Sequence, residues 1–182
     1  FTNGITDADF WWHLKTGQII SETQHLPAKD VFSHTGDNMR WVHDEWLGDV
    51  YLYGIFKRHG FPGIIVAAAI AGALIFSFAL GVCKLRGASL PSAVALLCIA
   101  AVASRMRISP RPDIFALMFF SADIYLLNKL LFSPPGDAKA RSFSRLIPVI
   151  QILWVNFHPS GIVGVALVLL SMLSSAAAFL LN

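Results

Sequence analysis

Charge is scarce in this 182-residue chain: Asp, Glu, Lys and Arg make up 14% of it, where soluble domains carry nearer a quarter. Cysteine is scarcer still, at two residues. Cys83 and Cys98 both fall inside apolar runs, so the expectation is two small buried hydrophobes and neither a disulfide nor a thiolate metal pair. There is no His-Glu-x-x-His and no Cys pair at zinc spacing, which leaves a zinc hydrolase without its usual ligands. The formal net charge is only +3 and the basic residues are scattered among loops, so there is no nucleic-acid footprint. A Met start, a charged n-region and an apolar h-region are also missing at Phe1. No signal peptide is visible, and a further span upstream of Phe1 is expected to carry the polar segment across a membrane.

What is present is hydrophobic: 55% of residues, with a mean hydropathy of +0.62. The polar residues are unevenly placed. Eight of the eleven acids and five of the six His lie before residue 61. The chain divides into a polar segment, residues 1–60, and an apolar one, residues 61–182. The fold class this implies is an all-α integral membrane protein, a multi-span helical bundle of about five helices.

From Phe61 to Cys83 there is no charge, and at about 1.5 Å per residue such a helix crosses a hydrocarbon core of roughly 30 Å. After the turn Lys84-Leu-Arg86-Gly87 a second uncharged run reaches Ser104 and ends on Arg105, Arg107 and Arg111. A third span, Ile114 to Leu131, contains Asp123. An acid inside a span is expensive and a functional candidate, but a helix–helix hydrogen bond or a pair with Asn128 or Lys129 is the simpler expectation. Ser133 to Ser142 has loop composition. Leu146 to Leu181 is too long for one span and is interrupted at Asn156-Phe-His158-Pro-Ser-Gly161, so it reads as two helices whose turn either lines an internal site or is an ordinary Pro/Gly-punctuated connection. Residues 1–60 and the Arg105–Arg111 turn are expected at one face, with Lys84–Arg86 and residues 133–145 at the other.

The polar segment is not a span. Thr6-Asp-Ala-Asp9 has the pattern of a capping box and starts a helix of about Asp7 to Glu22, and a second helix runs from about Asp44 to Arg58. Their Trp, Tyr and Phe content suits two interfacial helices in an external loop. Within this segment Asp7 and Asp9 form an Asp-x-Asp pair able to hold a divalent cation or supply a base, or simply to cap the helix. His13 lies one turn after Asp9. His43-Asp44-Glu45-Trp46 forms a second polar cluster. His158 and Asn156 join them from the broken helix.

The blocks Asp7-Ala-Asp-Phe-Trp-Trp-His-Leu-Lys-Thr-Gly17, Pro27-Ala-Lys-Asp30-Val-Phe-Ser33 and Trp41-Val-His43-Asp-Glu45-Trp-Leu47 together resemble the first external loop of bacterial membrane proteins in the GT-C glycosyltransferase superfamily. Arg111-Pro-Asp-Ile-Phe115 and Leu153-Trp-Val-Asn156-Phe-His158 agree with that resemblance, which reaches across nearly the whole chain. It implies a multi-pass protein of the bacterial inner (plasma) membrane whose polar segment is external. It further implies a polyprenyl-phosphate-linked sugar as donor, membrane lipid as surroundings and transfer to an acceptor at the outer face. Asp7, Asp9 and Glu45 would be catalytic, with a divalent metal, Mg or Mn, on Asp7 and Asp9. From their position, three guanidinium groups within seven residues on the face read as external, Arg105, Arg107 and Arg111 are expected either to bind the donor phosphate through bidentate contacts or to snorkel to ordinary headgroup phosphates. The competing class is a non-enzymatic membrane transporter or assembly subunit with Asp123 in its pathway.

Overall fold

The computed structural model describes residues 8–34, 39–105, 108, 110–134 and 136–181. Their regular structure is α-helical: α1 (Ala8–Thr23), α2 (Trp46–Leu85), α3 (Leu90–Ser104), α4 (Pro112–Phe132), α5 (Ala138–Ser144), α6 (Leu146–Phe157) and α7 (Gly161–Leu181). Among the described residues the one β pairing is an isolated antiparallel bridge, Lys29 to Arg40, which pins the loop between α1 and α2. The capping residues Thr6 and Asp7 lie outside the described residues.

The two expected elements at 44–58 and 61–83 are merged into α2, with a kink at Gly60 (φ 59°, ψ −155°). That backbone region is open essentially to Gly alone. Pro62 follows and is housed in the first turn of the new direction, where its missing N–H costs nothing. The stretch expected as a loop, 133–142, contains α5. Asp137 caps it by accepting from the backbone N–H of Lys139 at 2.8 Å and of Ala140 at 3.3 Å, and Ala-Lys-Ala-Arg carries good helix propensity.

Among the described residues three helices are long and apolar enough to cross a membrane: α2, α4 and the Gly161–Ala178 part of α7. Helix α3, expected as a second full span, has 15 residues, about 22 Å of rise against a core of roughly 30 Å. Its N-terminus is set by Ser89, whose hydroxyl accepts from the Ser92 N–H, and by Pro91 in the first turn. The outward faces of α3 and α7 are apolar and exposed, with Leu96, Ile99, Val102, Leu170 and Leu173 all more than half accessible. Cys98 belongs to that exposed face and Cys83 is half-buried, which corrects the expectation of two buried thiols. Each lies on the outside of a helix that is apolar all round, where periodicity does not mark the inner face.

The core lies between α1, α2, α4 and α6. Phe10 and Leu14 of α1 meet Leu52 and Ile64 of α2, Ile114, Phe115 and Phe119 of α4, and Trp154 and Phe157 of α6. Phe157 is edge-on to Phe115 and Phe119 at 5.6 and 5.5 Å, a geometry that adds to the value of burial. The bundle has two distinct ends. At one, α1, the start of α2, the start of α4 and the α6–α7 turn come together through Arg111–Asp9, His158–Asp113 and Trp46–Asn156 bonds. At the other, Arg86 donates to Asn128 at 3.0 Å and stacks on Phe132.

Asp123 is fully buried and bonds across the bundle: Gln151 Nε2 of α6 donates to its Oδ2. Neither Asn128 nor Lys129 is the partner. Asp123 Oδ1 and Gln151 Oε1 find no further hydrogen bond among the described residues, so one polar contact within the apolar α4–α6 packing carries the pair. Removing one partner leaves a buried polar group unmatched, whereas replacing both with apolar groups does not. Asp123→Leu and Gln151→Leu are each expected to lose about 1–3 kcal/mol in thermal unfolding of the detergent-solubilised protein. The double variant should lose less than their sum, and an additive loss would show that the two residues are not partners.

Candidate functional site

The polar end of the bundle holds one continuous chain of charged and imidazole groups drawn from five parts of the sequence. Asp9 of α1 pairs with Arg111 (3.0 Å), and Arg111 with Asp113 (2.8 Å). Asp113 accepts from His158 Nε2 (2.7 Å), which also lies 3.3 Å from Glu45. The other Glu45 oxygen stands 3.5 Å from His13 Nδ1, which donates to Asp49 at 2.7 Å. The second Asp49 oxygen accepts from His43 Nε2 at 2.8 Å.

Local structure explains how these groups are presented. Glu45 stands at the N-cap position of α2 and Asp49 four residues on, so both project from one face toward α1. Asp49 is completely buried. The close approach of α1 depends on Gly17: a Cβ there would overlap the Asp49 backbone carbonyl and fall 2.9 Å from Tyr53 Cβ. His13, one turn before Gly17, is thereby pressed against the Asp49 carboxylate. Trp12 stacks on His13 at 3.9 Å, and Trp41 closes the aromatic wall at 6.0 Å from Trp12. Trp41 also fixes a tautomer. Its indole N–H donates to His43 Nδ1 at 3.0 Å, so His43 carries its proton on Nε2, facing Asp49. His158 is oriented the same way, because the Ser160 backbone N–H donates to its Nδ1 at 3.1 Å and leaves Nε2 to donate to Asp113.

The electrostatics follow from burial and pairing. Burial raises the Glu45 pKa above its ordinary value, with the neighbouring Asp49 and Asp113 charges acting in the same direction and the His13 and His158 charges opposing. The hydrogen bond that His158 donates to Asp113 raises the pKa of His158, against the opposing effect of burial, and the charges of Glu45, Asp113 and Asp44 add to the rise. A carboxylate held easier to protonate beside an imidazole held easier to charge is an arrangement for moving protons.

The structure brings together Asp9, His13, His43, Glu45, Arg111 and His158 of the residues singled out in the sequence. Asn156 is beside them, accepting from Trp46 Nε1 at 2.8 Å and so tying the end of α6 to the start of α2. Arg105 is exposed at the end of α3, away from this chain of contacts. Asp7 and Arg107 lie outside the described residues, so the Asp7–Asp9 metal pair and the full Arg triad are not seen as sets. Asp9 itself is engaged by Arg111. Asp49 and Asp113 were not singled out from the sequence, yet Asp49 is the most buried member. The Glu45-x-x-x-Asp49 spacing, which puts two acids on one helical face, and the acid directly after Arg111-Pro112 were the available signals.

Residues His13, Glu45 and Asp49 each offer a ligand atom, and these atoms all lie within 4.8 Å of one another. The close approach at Gly17 makes the geometry testable through packing alone. Gly17→Ala is expected to destabilise the protein by about 1–3 kcal/mol, as overpacking does. Gly54→Ala, where a Cβ meets nothing closer than Arg58 at 3.7 Å, should be neutral or mildly stabilising. Equal unfolding temperatures for the two variants would contradict the α1–α2 contact.

No protein-family model, no curated protein and no solved structure matches this chain.

Proposed function

We propose that this chain is a multi-pass protein of the bacterial plasma membrane that transfers a sugar from a polyprenyl-phosphate donor to an acceptor at the outer face. The observation that carries the reading is the convergence of Glu45, Asp49, Asp113, His13, His158 and Arg111 at one end of an apolar bundle. A reaction on a lipid-borne sugar needs its polar groups there and its apolar surface below. An apolar groove of about 860 Å³ runs down from that end between α2 and α4, lined by Tyr51, Val66, Ile70, Phe115, Phe119 and Phe157 among others. Tyr51, Phe115 and Phe157 stand within two residues of Asp49, Asp113 and His158, so a prenyl chain in the groove would deliver its phosphate near the cluster.

In the inverting step, the acceptor hydroxyl gives its proton to Glu45 as its oxygen bonds to the anomeric carbon. The anomeric carbon–oxygen bond to phosphate breaks on the opposite side, and the polyprenyl phosphate departs with the electron pair. Burial suits Glu45 to this role by raising its pKa toward that of a working base. Arg111, paired through its two terminal nitrogens with Asp9 and Asp113, brings a fixed positive charge to the end of the bundle where the phosphate charge would develop. Of the two described Arg considered for this role, Arg105 and Arg111, it is the one seated in the cluster. The Asp123–Gln151 pair, closed between α4 and α6, gives a transport pathway no support.

Transfer from a panel of polyprenyl-phosphate sugars, assayed with the purified protein in proteoliposomes, tests the reading. Glu45→Gln is expected to lower the transfer rate by about 10²–10⁴-fold, the range general-base removal produces, while the protein still inserts and unfolds normally. Unchanged turnover in Glu45→Gln, or no transfer by the unaltered protein from any donor, would overturn it.

A further inference from the structure

We infer that His13, Glu45 and Asp49 form a binding site for one first-row divalent cation, Mn²⁺ or Zn²⁺. This is a different place from the Asp7–Asp9 pair. The inference concerns the same cluster as the transfer chemistry but does not rest on it: Glu45 would meet the ion through Oε2, which faces His13, and keep Oε1 for an acceptor proton.

The three ligand atoms lie within 4.8 Å of one another, and the two separations that involve His13 are nearer still. An ion held at about 2.0–2.2 Å from nitrogen and oxygen ligands keeps neighbouring ligand atoms roughly 3.0–3.4 Å apart. His13 Nδ1 and Glu45 Oε2 stand at 3.5 Å, so they need no adjustment of note. His13 Nδ1 and Asp49 Oδ1 stand at 2.7 Å, a hydrogen-bond separation, and must part by a few tenths of an ångström. The cation would take the place of the proton now shared between them. Deprotonated imidazole nitrogen and carboxylate oxygen are the required ligand forms.

The carboxylates are supported as metal ligands are. Each has its second oxygen near a histidine: Asp49 Oδ2 accepts from His43 at 2.8 Å, and Glu45 Oε1 lies 3.3 Å from His158 Nε2. His43 is fixed in turn by Trp41. Such outer partners orient ligating carboxylates and are themselves worth 10–100-fold in affinity.

Charge balance points the same way. Glu45, Asp49 and Asp113 bring three carboxylates to one end of the bundle, linked through His13 and His158, and Arg111 is committed to Asp113 and Asp9. His43 accepts a hydrogen bond at Nδ1 and so carries a single proton. Buried anions without matching cations are costly, and a divalent ion between Glu45 and Asp49 removes that cost. Glu45 and His158 retain partial exposure, with side chains 15% and 21% accessible, so one side of the ion would remain open to water or to an anionic oxygen. One imidazole and two carboxylates suit a borderline cation better than Ca²⁺, which prefers six or more oxygens.

The test is binding of the metal alone to the purified, chelator-stripped full chain. Mn²⁺ titration followed by electron paramagnetic resonance should find one tight site, and pulsed measurements should detect a directly coordinated imidazole nitrogen. Zn²⁺ should displace the Mn²⁺. His13→Ala should remove the nitrogen coupling and weaken binding at least about 10-fold, whereas Asp9→Asn should leave both unchanged. No stoichiometric Mn²⁺ or Zn²⁺ binding to the unaltered protein, or bound Mn²⁺ without imidazole coupling, would overturn the site, and neither result depends on any variant folding. Metal binding without sugar transfer would keep the site and remove the transferase reading. Transfer that persists without metal binding would do the reverse.

Discussion

A carboxylate with no solvent exposure is costly unless hydrogen bonds take up its oxygens, and Asp49 has both of its oxygens paired with histidines from different segments. One is on α1, the other on the connection between α1 and α2. The Asp49 side chain therefore dictates where the whole polar segment lies on the bundle. Gly17 allows the backbones of α1 and α2 to come within reach at that level, and Phe10 and Leu14 fill the apolar space below. Without the two imidazoles the first turn of α2 would hold an unmatched charge, and α1 would keep its apolar contacts and the Asp9–Arg111 pair.

From that anchor the rest of the polar end follows by contact. His13 faces Glu45, Glu45 faces His158, and His158 with Arg111 holds Asp113 at the start of α4. The α6–α7 turn is kept in register by Trp46 on Asn156 and by Trp154 on Ser160. These groups sit above an aromatic layer of Tyr51, Phe115 and Phe157, which separates them from the apolar length of the helices. Weak screening in such surroundings strengthens each charge interaction and penalises any left unmatched. Acid–base chemistry and cation binding are both served by that environment.

Much of the helical layout is legible in the sequence because long uncharged runs and Gly/Pro punctuation are local signals. The break at Gly60-Phe-Pro62 and the turn at His158-Pro-Ser-Gly161 are of this kind. Helix α5 is less legible, since its stability begins with one Asp137 cap inside a segment of loop composition. The inward faces of α2, α3 and α7 are not legible at all. Their apolar residues run all round the helix, and so Cys98 faces outward unannounced. At the site, the His and acidic residues of the polar segment stand out by their density, but the partnership of His13 with Asp49 spans 36 positions and that of Trp46 with Asn156 spans 110. Only the packing of α1 on α2 and of α6 on α2 brings them together. Asp49 in particular reads locally as one more acid on an amphipathic helix.

The central claim is that the Asp49 carboxylate and the His13 imidazole hold α1 on the bundle as a single unit. A double-mutant cycle on unfolding free energy, with His13→Ala, Asp49→Ala and the double variant, measures that coupling directly. The account predicts that each single change costs about 3–5 kcal/mol, because it strands a buried polar partner, and that the double change costs little more than either alone. Losses that add to within about 0.5 kcal/mol, as independent sites do, would contradict it.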